Sequence, residues 1–360
     1  MKIGCIPIIA QNYIKYDRLI EIVNYTFRGS EATTCDIFID LYSILSPLYG
    51  NYDPSLDEST TDIASTIINM IAHYRRFFWY KYKTNTRFIL IYSDNLGKFN
   101  KMHYPEYNAK FSNKIISKKY INDIIKENLN IVSMIVPYLN NVCYFETKEF
   151  DTSTMIYHVI NTIEKEGNVP NIIITKDSSV WQIIGATSGN DTSDSVVFRP
   201  KKNNGEDVSY PITKSNLYSV YSVKISKSPY PNAAVLSPAH YSMILAMSKC
   251  EDRNMKSVLN TNTVFNTLVD LIKKNMIYTG YIPNINEVVE LFPEKQKMSL
   301  YKSNVESRFK AIDCIYQSGV LINNMERVKF KGFMNLYDPN GLHEIASTYF
   351  KNNPLNLEYI

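Results

Sequence analysis

The chain has 360 residues, 45% of them hydrophobic, and a formal net charge of +4. That length suits one large domain or two closely packed ones with a substantial core. The mild positive balance permits nucleic-acid contact without requiring it. Five cysteines, at 5, 35, 143, 250 and 314, stand singly with no CxxC pair. They form no zinc spacing and no disulfide framework, which points to a reducing compartment, the cytoplasm of a host cell. The five histidines are equally scattered, and no HExxH occurs. No apolar run approaches the ~18 residues of a membrane span, so no membrane partner is expected. The opening MKIGCIPIIAQ lacks the long apolar core of a signal peptide. The 28 tyrosines, with much Asn, Ile and Lys, fit an AT-rich genome such as that of a bacteriophage or another virus.

Taken in chain order, residues 1–34 read as an N-terminal extension. Residues 35–42, CDIFIDLY, read as a buried strand ending at Asp40. Residues 61–82 predict a long helix, with Ile63, Ile67, Met70, Ile71, Tyr74 and Phe78 at helical spacing. Residues 87–93, RFILIYS, predict a second buried strand, followed by Asp94. The stretch 98–126 is basic, with seven lysines against Glu106 and Asp123. Residues 142–146 predict a short strand, 152–166 a helix and 171–175 a third buried strand running to Asp177. Residues 186–210, rich in Ser, Asn, Asp and Gly, read as a loop, and 217–226, LYSVYSVKIS, as a strand. From 238 to 360 the pattern is mainly helical. The chain thus divides into 1–34, an α/β domain at 35–237, and a helical C-terminal region.

Strands alternating with helices imply an α/β fold with a parallel sheet, whose ligands bind beyond the carboxyl ends of the strands. Asp40, Asp94 and Asp177 all fall at such ends. Each alone could simply cap a following helix. Together they would repel one another unless cations bind there or some are protonated.

The pieces also occur in an order that resembles the 5′-nuclease superfamily of flap endonucleases and phage 5′-exonucleases, a PIN-like fold. IFID40LYSIL resembles its first strand and acid. Tyr104-Pro105-Glu106-Tyr107-Asn108-Ala109-Lys110-Phe111, after Asp94, resembles its "YPEYKANR". Asp151-Thr152-Ser153-Thr154 is similar to "EADD", and Thr175-Lys176-Asp177-Ser178-Ser179-Val180-Trp181-Gln182 to "TGDKDLLQL". Ser248-Lys249-Cys250-Glu251-Asp252-Arg253-Asn254 stands at the place of its "GDxxDN" turn. The resemblance spans about residues 35–275.

The resemblance implies a two-metal phosphodiesterase, in which carboxylates hold two Mg²⁺ or Mn²⁺ ions. Asp40, Asp94, Asp151 and Asp177 would be the residual ligands. Several expected acids are missing: Ser153, Thr154 and Ser179 replace three, and Lys249 falls at the first acid of the turn. Asn108 and Phe111 replace the family's Lys and Arg, and Met255–Asn260 lacks its glycines. No catalytic residue is assigned. Three functions stay open. The chain could be a pseudo-nuclease that binds nucleic acid, DNA rather than RNA, through Lys98, Lys101, Tyr104, Tyr107, Lys110, Lys114, Lys118 and Lys119. It could be an active divalent-metal 5′-3′ exonuclease or flap endonuclease. It could be a structural component contacting proteins of a viral replication, transcription or virion complex.

Overall fold

The computed structural model describes residues 34–43, 67–68, 70–72, 74–76, 78–79, 84–93, 98–107, 119–139, 141–163, 171–187, 195–199, 202–203, 206–207, 210–226, 235–253, 255–321 and 329–331. Asp94, Lys110, Lys114 and Lys118 lie outside them, as does the side chain of Lys119.

The centre is a run of parallel strands made from the most continuous apolar text: β1 (Thr34–Asp40), β2 (Asn85–Ser93), β3 (Val142–Thr147), β4 (Asn171–Ile174) and β5 (Ser195–Arg199). Strands covered on both faces need apolar residues at successive positions rather than alternation. Cys35, Ile37, Phe38 and Ile39 of β1 and Ile172, Ile173 and Ile174 of β4 are accordingly buried. Two short hairpin strands, β6 (Lys202–Asn203) and β7 (Glu206–Asp207), pair apart from the main sheet. The sheet has the order β8-β5-β4-β1-β2-β3-β9. Its edges β8 (Tyr210–Ile212) and β9 (Lys329–Lys331) are antiparallel to their neighbours. Asp36 and Arg87 are direct neighbours in the β1–β2 register and form a two-point ion pair with both contacts at 2.6 Å.

Helices cover this sheet. The described residues between 67 and 79 are helical and bury Ile67, Met70, Ile71, Tyr74 and Phe78 as the periodicity requires. Next come α1 (Lys98–His103), α2 (Lys119–Ile135), α3 (Thr152–Ile163) and α4 (Gln182–Ala186). Met155, Ile156, Val159 and Ile160 of α3 face the core. Two readings change. Residues 217–226 form a helix, α5 (Leu217–Ser226), rather than a strand. Leu217 is buried, and Tyr218 and Tyr221, at helical spacing, meet Tyr241 and Phe265, so packing overrides the β preference of Val and Tyr. The stretch 186–210 is not all loop, because Val196, Val197 and Phe198 in β5 extend the buried sheet.

The C-terminal helices are α6 (Tyr241–Met247), α7 (Thr261–Lys273), α8 (Ile285–Val289), α9 (Glu294–Lys302), α10 (Val305–Ile312) and α11 (Cys314–Leu321). Asparagines set their starts: Asn260 and Asn284 accept from the amides two residues on, at 2.9 and 3.2 Å. One apolar core runs from Phe38 to Leu321. Buried polar groups stitch these helices to the sheet layer. Gln182 donates to Ile312 O and accepts from Cys314 N, at 2.9 and 2.8 Å. Asn100 donates to Ala311 O and Gln317 Oε1. Buried Asp313 accepts from Ser242, Tyr281 and the Tyr316 amide.

Gly185 of α4 marks the closest approach. A Cβ there would lie 2.0 Å from the carbonyl oxygen of Pro238. Backbone cannot yield as a flexible side chain can, so Gly185→Ala is expected to lower stability by about 1–3 kcal/mol or more. Urea unfolding of the variant beside the wild type measures this; equal midpoints would refute the close packing.

Candidate functional site

The carboxyl ends of β1 and β4 are adjacent and in register up to Ile39 and Ile174. The next residues are Asp40 and Thr175, and the Thr175 hydroxyl donates to Asp40 Oδ2 at 2.7 Å. The other oxygen of Asp40 accepts from the Ser43 amide at 3.2 Å, a helix-capping bond. Asp40 is fully buried. Burial, helped by the charge of Asp177, pushes its pKa up to about 6.

Asp177 follows Thr175 and caps a 3₁₀ turn, Ser178–Trp181. Its Oδ1 accepts from both the amide and the hydroxyl of Ser179, each at 2.8 Å. Asp151 precedes α3, and its Oδ1 accepts from the Thr152 amide at 2.6 Å. The structure therefore brings Asp40, Asp151 and Asp177 to the carboxyl edge of the sheet, all of them buried.

The cation that meets them is a side chain. Arg253, with 0% exposure, enters from a loop closed by an antiparallel bridge between Cys250 and Met255. Its Nη2 and Nε donate to the two oxygens of Asp151 at 2.6 and 2.8 Å. Its Nη1 lies 2.5 Å from Asp177 Oδ2, an ion contact rather than an aligned hydrogen bond. Nε also reaches the hydroxyl of Tyr107 at 2.7 Å, and that hydroxyl donates to Asp151. Burial alone would favour loss of the guanidinium proton, but the carboxylates of Asp151 and Asp177 overrule it and hold the charge firmly in place. Burial raises the pKa of Asp177, with Arg253 pulling the other way and Asp252 and Asp151 adding to the rise.

Neighbouring residues complete this arrangement. Asp252 accepts from the amide and hydroxyl of Ser178, which locks the loop to the turn after β4. Thr154, at an expected acid position, donates to Gln317 at 2.8 Å. Ser153, at another, is fully buried.

These donors do not fit a divalent ion as arranged. Such an ion needs several carboxylate oxygens free to face it in near-octahedral geometry. Both oxygens of Asp151 are spent on Arg253, and those of Asp177 are divided between Arg253 and Ser179. Among the described residues, no group of three or more His, Cys, Asp or Glu is placed to hold a metal. Sequence reasoning set Lys249 against the acids, but Lys249 is exposed and the guanidinium of Arg253 fills the position. The available signal was a basic residue inside a turn whose family pattern is acidic.

The described residues among those expected to bind nucleic acid differ in exposure. Lys98 is exposed and pairs with Glu149 at 3.1 Å. Lys101 is half-buried on α1. Tyr104 is half-buried, with the guanidinium of Arg308 over its ring. Tyr107 has 0% exposure and serves the acid cluster, so its ring is closed to a base. It was expected among the lysines as an aromatic that stacks on a base, but its hydroxyl serves Asp151 and Arg253 in the buried cluster.

Comparison with family models finds no match, and neither does comparison with curated protein sequences. Comparison of structures does. The chain resembles the bacteriophage T5 D15 protein co-crystallised with metal ions, with a TM-score of 0.50. It resembles T5 5′-exonuclease with zinc bound, at 0.52. A third likeness, at 0.50, is to the T5 D15 flap endonuclease in a pseudo-enzyme–product complex with DNA and metal ions. Each is 11% identical, and each alignment covers 88% of this chain and 98% of the other. At that identity the likeness is one of fold, and it agrees with the mostly parallel sheet flanked by helices. The chain has a 5′-nuclease-like fold.

Proposed function

We propose that this chain is a catalytically impaired 5′-nuclease-like protein that binds nucleic acid, DNA rather than RNA, within a phage or viral nucleic-acid assembly. The observation that carries the reading is the Arg253 guanidinium, seated between Asp151 and Asp177. Two-metal hydrolysis needs divalent ions to generate hydroxide and to stabilise the leaving oxygen. A guanidinium supplies positive charge, but it neither binds water as a Lewis acid nor lowers its pKa to the neutral range. The arrangement retains the electrostatic balance of an acid cluster and gives up its chemistry. Asp40, Asp151 and Asp177 then serve the scaffold, and no metal cofactor is required.

Labelled 5′-flap, nicked and single-stranded DNA, incubated with the protein in Mg²⁺ and separately in Mn²⁺, tests this beside an Asp177→Ala control. The expected result is no metal-dependent cleavage together with salt-sensitive retention on a native gel. Cleavage that the Asp177→Ala variant abolishes would overturn the impairment. Absence of binding would overturn the nucleic-acid role.

A further inference from the structure

Tyr278 is 73% exposed, more than any other aromatic among the described residues. Single apolar side chains in solvent are ordinary on a protein surface. What sets this one apart is how firmly it is held. Helix α7 ends in a Schellman motif, with Asn275 in the left-handed conformation at φ 55°. The Asn275 amide donates to Ile272 O and the Met276 amide to Leu271 O, both at 2.9 Å. Beyond this cap the exposure alternates, and Ile277 is buried between exposed Met276 and Tyr278. The carbonyl of Tyr278 lies 2.9 Å from Nε2 of His240, whose ring is fully buried. A carbonyl can only accept, so Nε2 carries the proton and donates it.

The ring is seated by its edge. A Cβ on Gly280 would lie 2.2 Å from Cε1 of Tyr278 and 3.0 Å from its Cδ1 and Cζ. The ring edge therefore occupies the space that a side chain at 280 would need. The backbone of Gly280 is outside the left-handed region, so the turn itself does not require a glycine; the ring does. Positive charge stands on the same fixed segment. Lys273, in the last turn of α7, and Lys274 are both exposed. Lys274 pairs with Asp270 at 2.7 Å, whereas Lys273 forms no ion pair among the described residues.

An open aromatic ring held in one orientation beside a cation can take a base and its phosphate together. We propose that Tyr278 is a stacking platform for an unpaired nucleobase of a DNA strand, with Lys273 contacting the strand's backbone. This rests on the nucleic-acid role above and names its contact. Every base has a π-face, so the platform accepts any sequence. Because the backbone and the ring edge are already fixed, stacking orders little that was free beforehand. The charge of Lys273 suits a polyanion and would lie uncompensated against an apolar partner surface.

The test is fluorescence anisotropy of a labelled oligothymidine, and of a labelled strand of equal length built of abasic sites, with wild type, Tyr278→Phe, Tyr278→Ala and Lys273→Gln. On the oligothymidine, Tyr278→Ala should bind about 5- to 150-fold more weakly, and Tyr278→Phe close to wild type, because stacking uses the ring and not the hydroxyl. On the abasic strand these three proteins should bind alike. Lys273→Gln should make the salt slope of log K on the oligothymidine shallower by about 0.7. A thermal midpoint of Tyr278→Ala close to that of wild type excludes loss of fold as the cause. Wild-type binding that Tyr278→Ala leaves unchanged, or weakens equally on the abasic strand, overturns the platform and leaves the nucleic-acid role standing. No wild-type binding to either strand or to a 5′-flap duplex sinks both. If wild type sediments as a dimer and Tyr278→Ala as a monomer, with no difference between them on DNA, the ring is a contact between copies and the platform is wrong.

Discussion

Arg253→Ala is expected to be the most damaging single change in the described structure. It removes the cation and leaves Asp151 and Asp177 buried without compensation. Breaking a buried ion pair from one side costs about 3–5 kcal/mol, because the remaining charge has neither water nor partner. That is a large share of the total stability of an ordinary domain, about 5–15 kcal/mol. Urea unfolding in the presence of EDTA gives the value. Two additions identify the cause. Asn at both 151 and 177, placed in the Arg253→Ala background, should recover much of the loss, since the uncompensated charges go. Millimolar Mg²⁺ or Mn²⁺ should raise the thermal midpoint of Arg253→Ala and not of the wild type, because only the variant offers carboxylates to an ion. If metal leaves the variant unmoved and the added Asn residues do not help, the arginine is not acting as the cluster's cation.

Asp40→Asn should act in the opposite direction. Asp40 is pushed up to about 6 from an ordinary value of 3.8 by burial and by Asp177. A carboxyl raised in the folded state adds stability below its unfolded pKa and loses that contribution as pH rises through the folded value. At one pH unit per ~1.4 kcal/mol, keeping Asp40 ionised above pH 6 costs about 3 kcal/mol. Asparagine avoids this cost. Its oxygen can still accept from the Ser43 amide, and its amide can donate to Thr175 Oγ1, whose hydroxyl then turns towards Ser43 Oγ at 3.3 Å. The variant should therefore be more stable than wild type by up to about 3 kcal/mol at pH 7.5, and close to equal near pH 4. Unfolding at the two pH values measures the difference. A gain that does not shrink on acidification would place its origin elsewhere. Asp36, Asp177 and Asp313 are raised by burial too, so the comparison must be between variant and wild type at each pH.

The central strands were legible because strands buried on both faces leave an unbroken apolar text, as in FILI of β2 and III of β4. The acids at strand ends were legible by position: Asp40 ends the apolar run of β1 and Asp177 comes soon after that of β4, and topology alone brings them together. The helix at 217–226 was not. Its Leu, Tyr and Val residues suit either period, and only the aromatic packing of Tyr218 and Tyr221 against Tyr241 and Phe265 decides. Arg253 was not legible because a lone arginine in a polar turn is usually solvated. Its role depends on contacts to residues about 75–145 positions away, at Tyr107, Asp151 and Asp177, which no local pattern encodes. The same holds for Arg308, whose partners Ala246, Ser248 and Lys256 become neighbours only once α6 and the loop beyond it pack against α10.

The edge of the sheet has a consequence for how the chain reaches its fold. Strand β3 at residues 144–146 pairs with β9 at residues 329–331. A ribosome delivers the chain from the N-terminus, so the parallel strands are made long before the segment that covers their outer edge. Until residue 331 has emerged, β3 presents open backbone donors and acceptors, the template by which strands of separate molecules pair. Closing a loop of that span is also slow compared with pairing nearby segments. The nascent protein is therefore most exposed to mispairing late in synthesis, and its last sheet bond is among the last that can form.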